Sequence, residues 1–84
     1  MPTQRRPGEL SALRRLGDAV VRHRIVGGLT QEDVSDRADV SVAFLRSLER
    51  GRANPSYLTL VRISQAIGVA VDALIREAQD ARSR

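Results

Sequence analysis

Three residues, Asp39, Val40 and Ser41, separate two short helical patterns, and this spacing constrains the chain more than any other feature. The first pattern, about 31–38, places Val34 and Ala38 four apart on one face. Glu32, Asp33 and Asp36 crowd its first turns, where a helix dipole favours negative charge. Thr30 precedes it as an N-cap, and Asp33 three residues on makes a short form of the capping box. The second pattern, about 42–50, opens on Ser41 as N-cap, turns Leu45 and Leu48 inward and stops at Gly51. So tight a break, with the small residue Ser35 in the first helix, lets two helices pack at a steep angle.

The flanking segments complete an all-α reading of five helices and no strands. Leu13, Leu16, Val20 and the stem of Arg24 recur at steps of three and four, predicting a first helix over 10–26 ended by Gly27-Gly28. A polar loop over 51–55 leads to a fourth helix from Ser56, with Leu60, Ile63, Ala66 and Ile67 as its inner stripe and Gly68 as its stop. A fifth segment from about Val71 carries Leu74, Ile75, Ala78 and Ala81 into an Arg-rich end. Residues 1–9 hold Pro2, Arg5, Arg6, Pro7 and Gly8 without periodicity and read as a flexible basic arm. Residues 10–76 read as the domain and 77–84 as a helix end and tail.

Composition narrows the function classes. At 84 residues the chain holds one domain. Phe44 and Tyr57 are its two aromatics, so the core must come from Leu, Val, Ile and Ala, which favours helices packed on helices. The absence of cysteine excludes disulfides, thiolate metal sites and a cysteine nucleophile. A single histidine, His23, excludes a multi-histidine metal site and reads as a surface residue. All 14 basic residues are arginine, so a Walker-type phosphate loop, a Schiff base and a lysine base are impossible. No enzyme activity and no cofactor or metal are expected. No apolar stretch follows Arg5 and Arg6 as in a signal peptide, and no run is long enough to cross a membrane. A cytoplasmic location is the expectation.

Two short helices at a steep angle form a helix-turn-helix, whose second helix offers its N-terminal half to the major groove of DNA while the first crosses the backbone. The residues also resemble a family. Leu16-Gly17, Val20, Arg24 and Gly28-Leu29-Thr30-Gln31-Glu32-Asp33-Val34-Ser35 look like the opening of the phage-repressor (XRE, Cro/repressor-like) helix-turn-helix family. Asp39 to Leu45, Leu48-Glu49-Arg50-Gly51, Asn54-Pro55-Ser56 and Leu60, Ile63, Ala66 to Val69 continue in register, so the likeness covers about residues 16–75. It implies a lambda-repressor-like five-helix domain: a sequence-specific regulator of transcription that binds double-stranded DNA as a homodimer on a palindromic operator.

The resemblance also implies roles. Gln31 matches the glutamine that binds a DNA phosphate and braces the recognition helix, and Val42, Ala43, Arg46 and Ser47 fall where base edges are read. Ser41, Arg52 and Asn54 lie where the family contacts phosphates, and Arg24 and Glu49 match an internal salt bridge. By its own chemistry Arg46 suits either a bidentate bond to guanine or a phosphate clamp, while Val42 and Ala43 suit thymine methyl groups. Asp39 replaces the family's usual glycine in the turn, at some cost in backbone strain. Ala70 stands where the family usually has a capping Ser, leaving Asp72 to favour the start of the fifth helix. Phe44 reads as a packing residue, and Tyr57 as either a cap or a phosphate contact.

Charge supports this reading in part. Residues 1–30 carry six Arg against two acids, residues 31–50 three against five, and residues 51–84 five against three. The motif itself is acidic, so phosphate attraction must come from helix ends, amides, Arg52 and the arm, whose Arg5 and Arg6 suit a minor groove or a plain solubilising tail. Val71, Leu74, Ile75 and Ala78 are more apolar surface than a short terminal helix is expected to bury, and predict a symmetric dimer interface. No room is expected for a ligand-sensing domain. The rival reading is an antitoxin-type module that neutralises a partner toxin and regulates itself, against which no long disordered tail is present.

Overall fold

The computed structural model describes residues 6–79. Five helices follow one another: α1 (Pro7–Val26), α2 (Gln31–Ala38), α3 (Val42–Glu49), α4 (Tyr57–Ile67) and α5 (Val71–Gln79). The described residues contain no strand. The fold is all-α, and α2 and α3 are its helix-turn-helix.

Side-chain caps set most of the helix starts. Thr30 Oγ1 accepts from Asp33 N at 3.0 Å while the Asp33 carboxylate accepts from Thr30 N at 2.9 Å, a reciprocal box at the head of α2. Ser41 caps α3 by accepting from Phe44 N at 3.0 Å, and Ser56 caps α4 by accepting from Thr59 N at 3.1 Å. The cap of α4 is thus Ser56, and Tyr57 is its exposed first residue. α5 starts at Val71 with Ala70 in front of it, and Asp72 bonds Arg76 one turn on at 3.1 Å.

α1 begins three residues before the expected position, so residues 7–9 belong to the helix rather than to the arm. Glu9 explains the difference. Its carboxylate accepts from Arg6 N at 3.0 Å, satisfying a backbone donor at the head of the helix. Arg5 and residues 1–4 of the expected arm lie outside the described residues, as do residues 80–84 of the expected tail.

The α2–α3 turn is closed from three sides. Asp39 takes the left-handed conformation at φ 57°, ψ 49°, the one non-glycine residue with positive φ among those described. Buried Ser35 accepts from Val40 N through its carbonyl at 3.1 Å and donates its hydroxyl to the Val40 carbonyl. Arg62 of α4 donates Nε to the Ala38 carbonyl at 2.9 Å, filling an acceptor that a helix C-terminus leaves open.

The core forms where the five helices meet. Ala19, Val20, Val34, Ala38, Leu45, Leu48, Ile63 and Leu74 are fully buried. α1 crosses α3 at Gly17, where an added Cβ would lie 2.5 Å from the Leu48 carbonyl oxygen and 2.7 Å from that of Glu49. Only glycine admits this approach. Gly51 has the same role at the end of α3, with φ 75° and the Arg14 Cα 2.8 Å from where a Cβ would stand.

α5 corrects an expectation. Leu74 and Ala78, expected at a dimer interface, lie inside this chain's own core, at 0% and 8% exposure; Val71 and Ile75 pack half-buried against it. The reason is α1, which at 20 residues is long enough to seat α5 along its flank. Arg15 of α1 donates Nε to the Ala78 carbonyl at 2.7 Å, and Arg22 and His23 both bond Glu77. His23 is therefore a half-buried partner of α5 rather than a plain surface residue, 3.0 Å from the Glu77 carboxylate.

Candidate nucleic-acid interface

α3 divides its side chains between core and solvent. Leu45 and Leu48 are fully buried and Phe44 packs half-buried on the core. On the helix period Val42, Ala43, Arg46 and Ser47 share the other side, with Ala43 and Arg46 exposed and Val42 and Ser47 half-buried. The four expected base readers therefore form one continuous outer stripe.

A chain of hydrogen bonds fixes this helix to the two before it. Arg24 of α1 donates Nε to Glu49 Oε2 at 2.7 Å and Nη2 to Glu49 Oε1 at 3.1 Å, and its Nη1 reaches the Leu29 carbonyl at 3.0 Å. The side chains are 14% and 6% exposed, so this pair is largely removed from water. Charges so placed need full pairing to be tolerated, and three donors on one guanidinium supply it. Gln31 Nε2 donates to Glu49 Oε1 at 2.9 Å, and Gln31 Oε1 accepts from Arg46 Nε at 3.2 Å. The expected Arg24–Glu49 pair is thus joined in one line with Gln31 and Arg46.

The expected phosphate contacts surround the stripe in sequence and differ in local role. Gln31 is the first residue of α2, where helical N–H groups lack partners within the helix. Ser41 uses its oxygen as the α3 cap, which leaves its hydroxyl proton as a donor. Arg52 and Asn54 are exposed in the loop after α3, held by the bond from Arg52 N to the Ser47 carbonyl at 2.9 Å. Arg52 lines a shallow groove with Arg14 and Arg50, beside Leu10 and Asp18 of α1. The three arginines share this groove with the acids Asp18 and Glu49. Arg14 lies outside the pieces that carry the family resemblance and escapes a reading by sequence.

The Asp33 carboxylate at the head of α2 accepts from Thr30 N. The Thr30 backbone N–H, with the Thr30 hydroxyl adding to it, holds the Asp33 carboxyl below the usual range. Glu77, far along the chain on α5, is held low by the hydrogen bond from His23 and then by Arg22. Among the described residues no group of His, Asp and Glu gathers to hold a metal ion, and no single helix is long and apolar enough to cross a membrane.

Two short helices joined by a three-residue turn, with the second anchored inward and striped outward, define a helix-turn-helix protein. The helix-turn-helix family model matches residues 24–74, and the chain belongs to that family, the XRE-type helix-turn-helix regulators. An uncharacterized HTH-type transcriptional regulator of Sinorhizobium fredii is 48% identical over 55 residues, covering 66% of this chain and 71% of that protein. The immunity repressor protein of Bacillus phage phi105 is 39% identical over 49 residues, 58% of this chain and 34% of the repressor. Among solved structures, the clp gene regulator ClgR of Corynebacterium glutamicum superimposes with a TM-score of 0.76 at 31% identity, over 80% of this chain and 86% of that one. The restriction-modification controller C.AhdI of Aeromonas hydrophila shares the fold at a TM-score of 0.72 and 22% identity, over 74% and 94% of the two chains. The chain thus spans most of some relatives and about a third of the phage repressor.

Proposed function

We propose that the chain is a sequence-specific double-stranded DNA-binding regulator of transcription, acting in the cytoplasm as a homodimer on a palindromic operator, with α3 in the major groove. The observation that carries this reading is the outer stripe of α3, exposed while the same helix is anchored by fully buried Leu45 and Leu48. In this reading Arg46 bonds a guanine edge, Val42 and Ala43 pack on thymine methyl groups, and Ser47 completes the stripe. The Gln31 and Ser41 donors, Arg52 and Asn54 hold the backbone. Binding draws on the placement of a few arginines more than on bulk charge, since the motif is itself acidic. No catalysis and no cofactor enter this reading.

An α3 of eight residues reads only a few base pairs, so two copies related by a twofold axis give the needed site length, with reading helices roughly 34 Å apart. Half-buried Val71 and Ile75 of α5 are the residues we keep for the dimer contact. Selection from a random duplex pool at physiological salt tests the whole reading. An enriched inverted repeat is the expected result, and a pool with no enrichment would sink it. Sedimentation equilibrium at tens of micromolar should give the dimer; a monomer at that concentration removes that part. On the selected operator, Arg46→Ala should relax preference at one position in each half-site by about 1–3 kcal/mol.

A further inference from the structure

We infer that Glu49 and Gln31 are positioning residues for Arg46: the buried ion pair sets the orientation of the Gln31 amide, and that amide decides which edge of the Arg46 guanidinium is offered to DNA. The inference rests on α3 being the DNA-reading helix, and it assigns how that reading is aimed.

The argument is one of donors and acceptors. A carboxylate only accepts hydrogen bonds, and a guanidinium only donates them. Both Glu49 carboxylate oxygens already accept from Arg24, so the side of Gln31 that faces them must be the NH2 group, as the 2.9 Å bond from Nε2 requires. The amide oxygen is then forced to the opposite side, where Arg46 Nε donates to it at 3.2 Å. Both ends demand the same orientation. A flipped amide would set its oxygen against the Glu49 carboxylate and its NH2 against the Arg46 guanidinium, which is unfavourable twice.

The consequence falls on Arg46. A guanidinium can grip two acceptors side-on, through Nε and one Nη, or end-on, through Nη1 and Nη2. With Nε engaged by Gln31, the end-on fork is the edge left to solvent, and the side chain loses rotamer freedom before DNA arrives. Ordering a long side chain in advance lowers the entropy cost of using it in binding. The line Arg24–Glu49–Gln31–Arg46 therefore joins the inner face of the first helix to the outer face of the third.

A double-substitution cycle on the full chain tests this, with Gln31→Met, Arg46→Met and the pair measured by fluorescence anisotropy on the selected operator. If Gln31 acts through Arg46 as well as through its own phosphate contact, Gln31→Met should weaken binding about tenfold in the wild-type background and about threefold once Arg46 is gone, the remainder being the phosphate contact. The same factor in both backgrounds would mean an independent phosphate contact and would overturn the inference. A second readout needs no DNA. In nitrogen-15 spectra of the free protein, the Arg46 Nε–H signal should be sharp and slow to exchange with water, and should broaden in Gln31→Met. Glu49→Gln approaches from the far side: its amide can donate or accept, so the orientation is no longer enforced and the same broadening is expected while Gln31 and Arg46 remain. An unchanged Arg46 signal in both variants, with the rest of the spectrum folded, would contradict the relay. If no duplex is enriched, the functional reading fails while these spectra still decide the relay.

Discussion

Arg24 on α1 and Glu49 on α3 meet through two hydrogen bonds, 2.7 and 3.1 Å long, at a point where the carboxylate side chain is only 6% exposed. Removing one partner leaves the other charge buried and alone, so Glu49→Ala should destabilise the fold by about 3–5 kcal/mol. Replacing both, as Arg24→Met with Glu49→Leu, should cost much less, because no charge is then stranded. Urea denaturation of the wild type and these two variants measures both quantities. A double variant as unstable as Glu49→Ala would show that the pair does more than neutralise itself.

Gly17 sits seven residues before Arg24 on α1, at the crossing where a Cβ would press on the backbone of Leu48 and Glu49. Neither contact is with a flexible side-chain end, so relief requires moving one helix. Gly17→Ala should lose about 1–3 kcal/mol, and it should weaken DNA binding beyond what the stability loss explains by shifting α3. Thermal melts with and without operator duplex check this.

Asp39 strains the helix-turn-helix turn at φ 57°. Asp39→Gly should relieve the left-handed conformation and stabilise the fold by about 0.5–1 kcal/mol, raising the melting temperature by a few degrees. Removing a negative charge close to the reading helix should also tighten binding to all duplexes alike, since phosphate attraction carries no base information. A lowered melting temperature would show that the Asp39 side chain has a favourable role in the turn that outweighs the strain.

Glu77 ties α5 to α1, and the hydrogen bond from His23, with Arg22 beside it, holds its carboxyl below the ordinary range. A carboxyl with a depressed folded value is ionised more readily in the folded state. Its stabilisation is therefore complete above the ordinary glutamate value of about 4.3 and is lost as pH falls through the depressed one. Wild type should melt above Glu77→Gln at neutral pH, and the gap should close on acidification through that window. A gap that is constant from neutral pH into strong acid would show that Glu77 acts by shape alone.

Much of the fold was legible in the sequence because its signals are local. Thr30, Ser41 and Ser56 cap helices three residues or fewer downstream, and the break at Asp39-Val40 shows between two periodic runs, while the left-handed turn at Asp39 follows from the family resemblance, which has glycine there. The start of α1 was not legible, because Pro7-Gly8 read as a break while Glu9 supplies the missing acceptor. Contacts between distant segments left no trace. Arg62 reaches Ala38 across 24 positions, His23 meets Glu77 across 54, and Arg15 meets Ala78 across 63. A period of three to four marks Leu74 and Ala78 as apolar but does not say what covers them, and the long α1 does so before any second chain is needed. At the interface, both the base-facing stripe of α3 and the Arg24–Glu49 pairing follow from the family resemblance. The link from Gln31 to Arg46 does not, because it depends on which way one amide points.

The central claim is that the outer face of α3, together with the head of α2 and the loop after α3, is the surface that meets DNA. Titrating the nitrogen-15-labelled chain with its selected duplex and following the backbone amide shifts tests this most directly. The account predicts that the largest changes fall on Gln31, Ser41, Val42, Ala43, Arg46, Ser47, Arg52 and Asn54, with α5 changing little. Changes centred on α4 and α5, with the α3 amides unmoved, would contradict it.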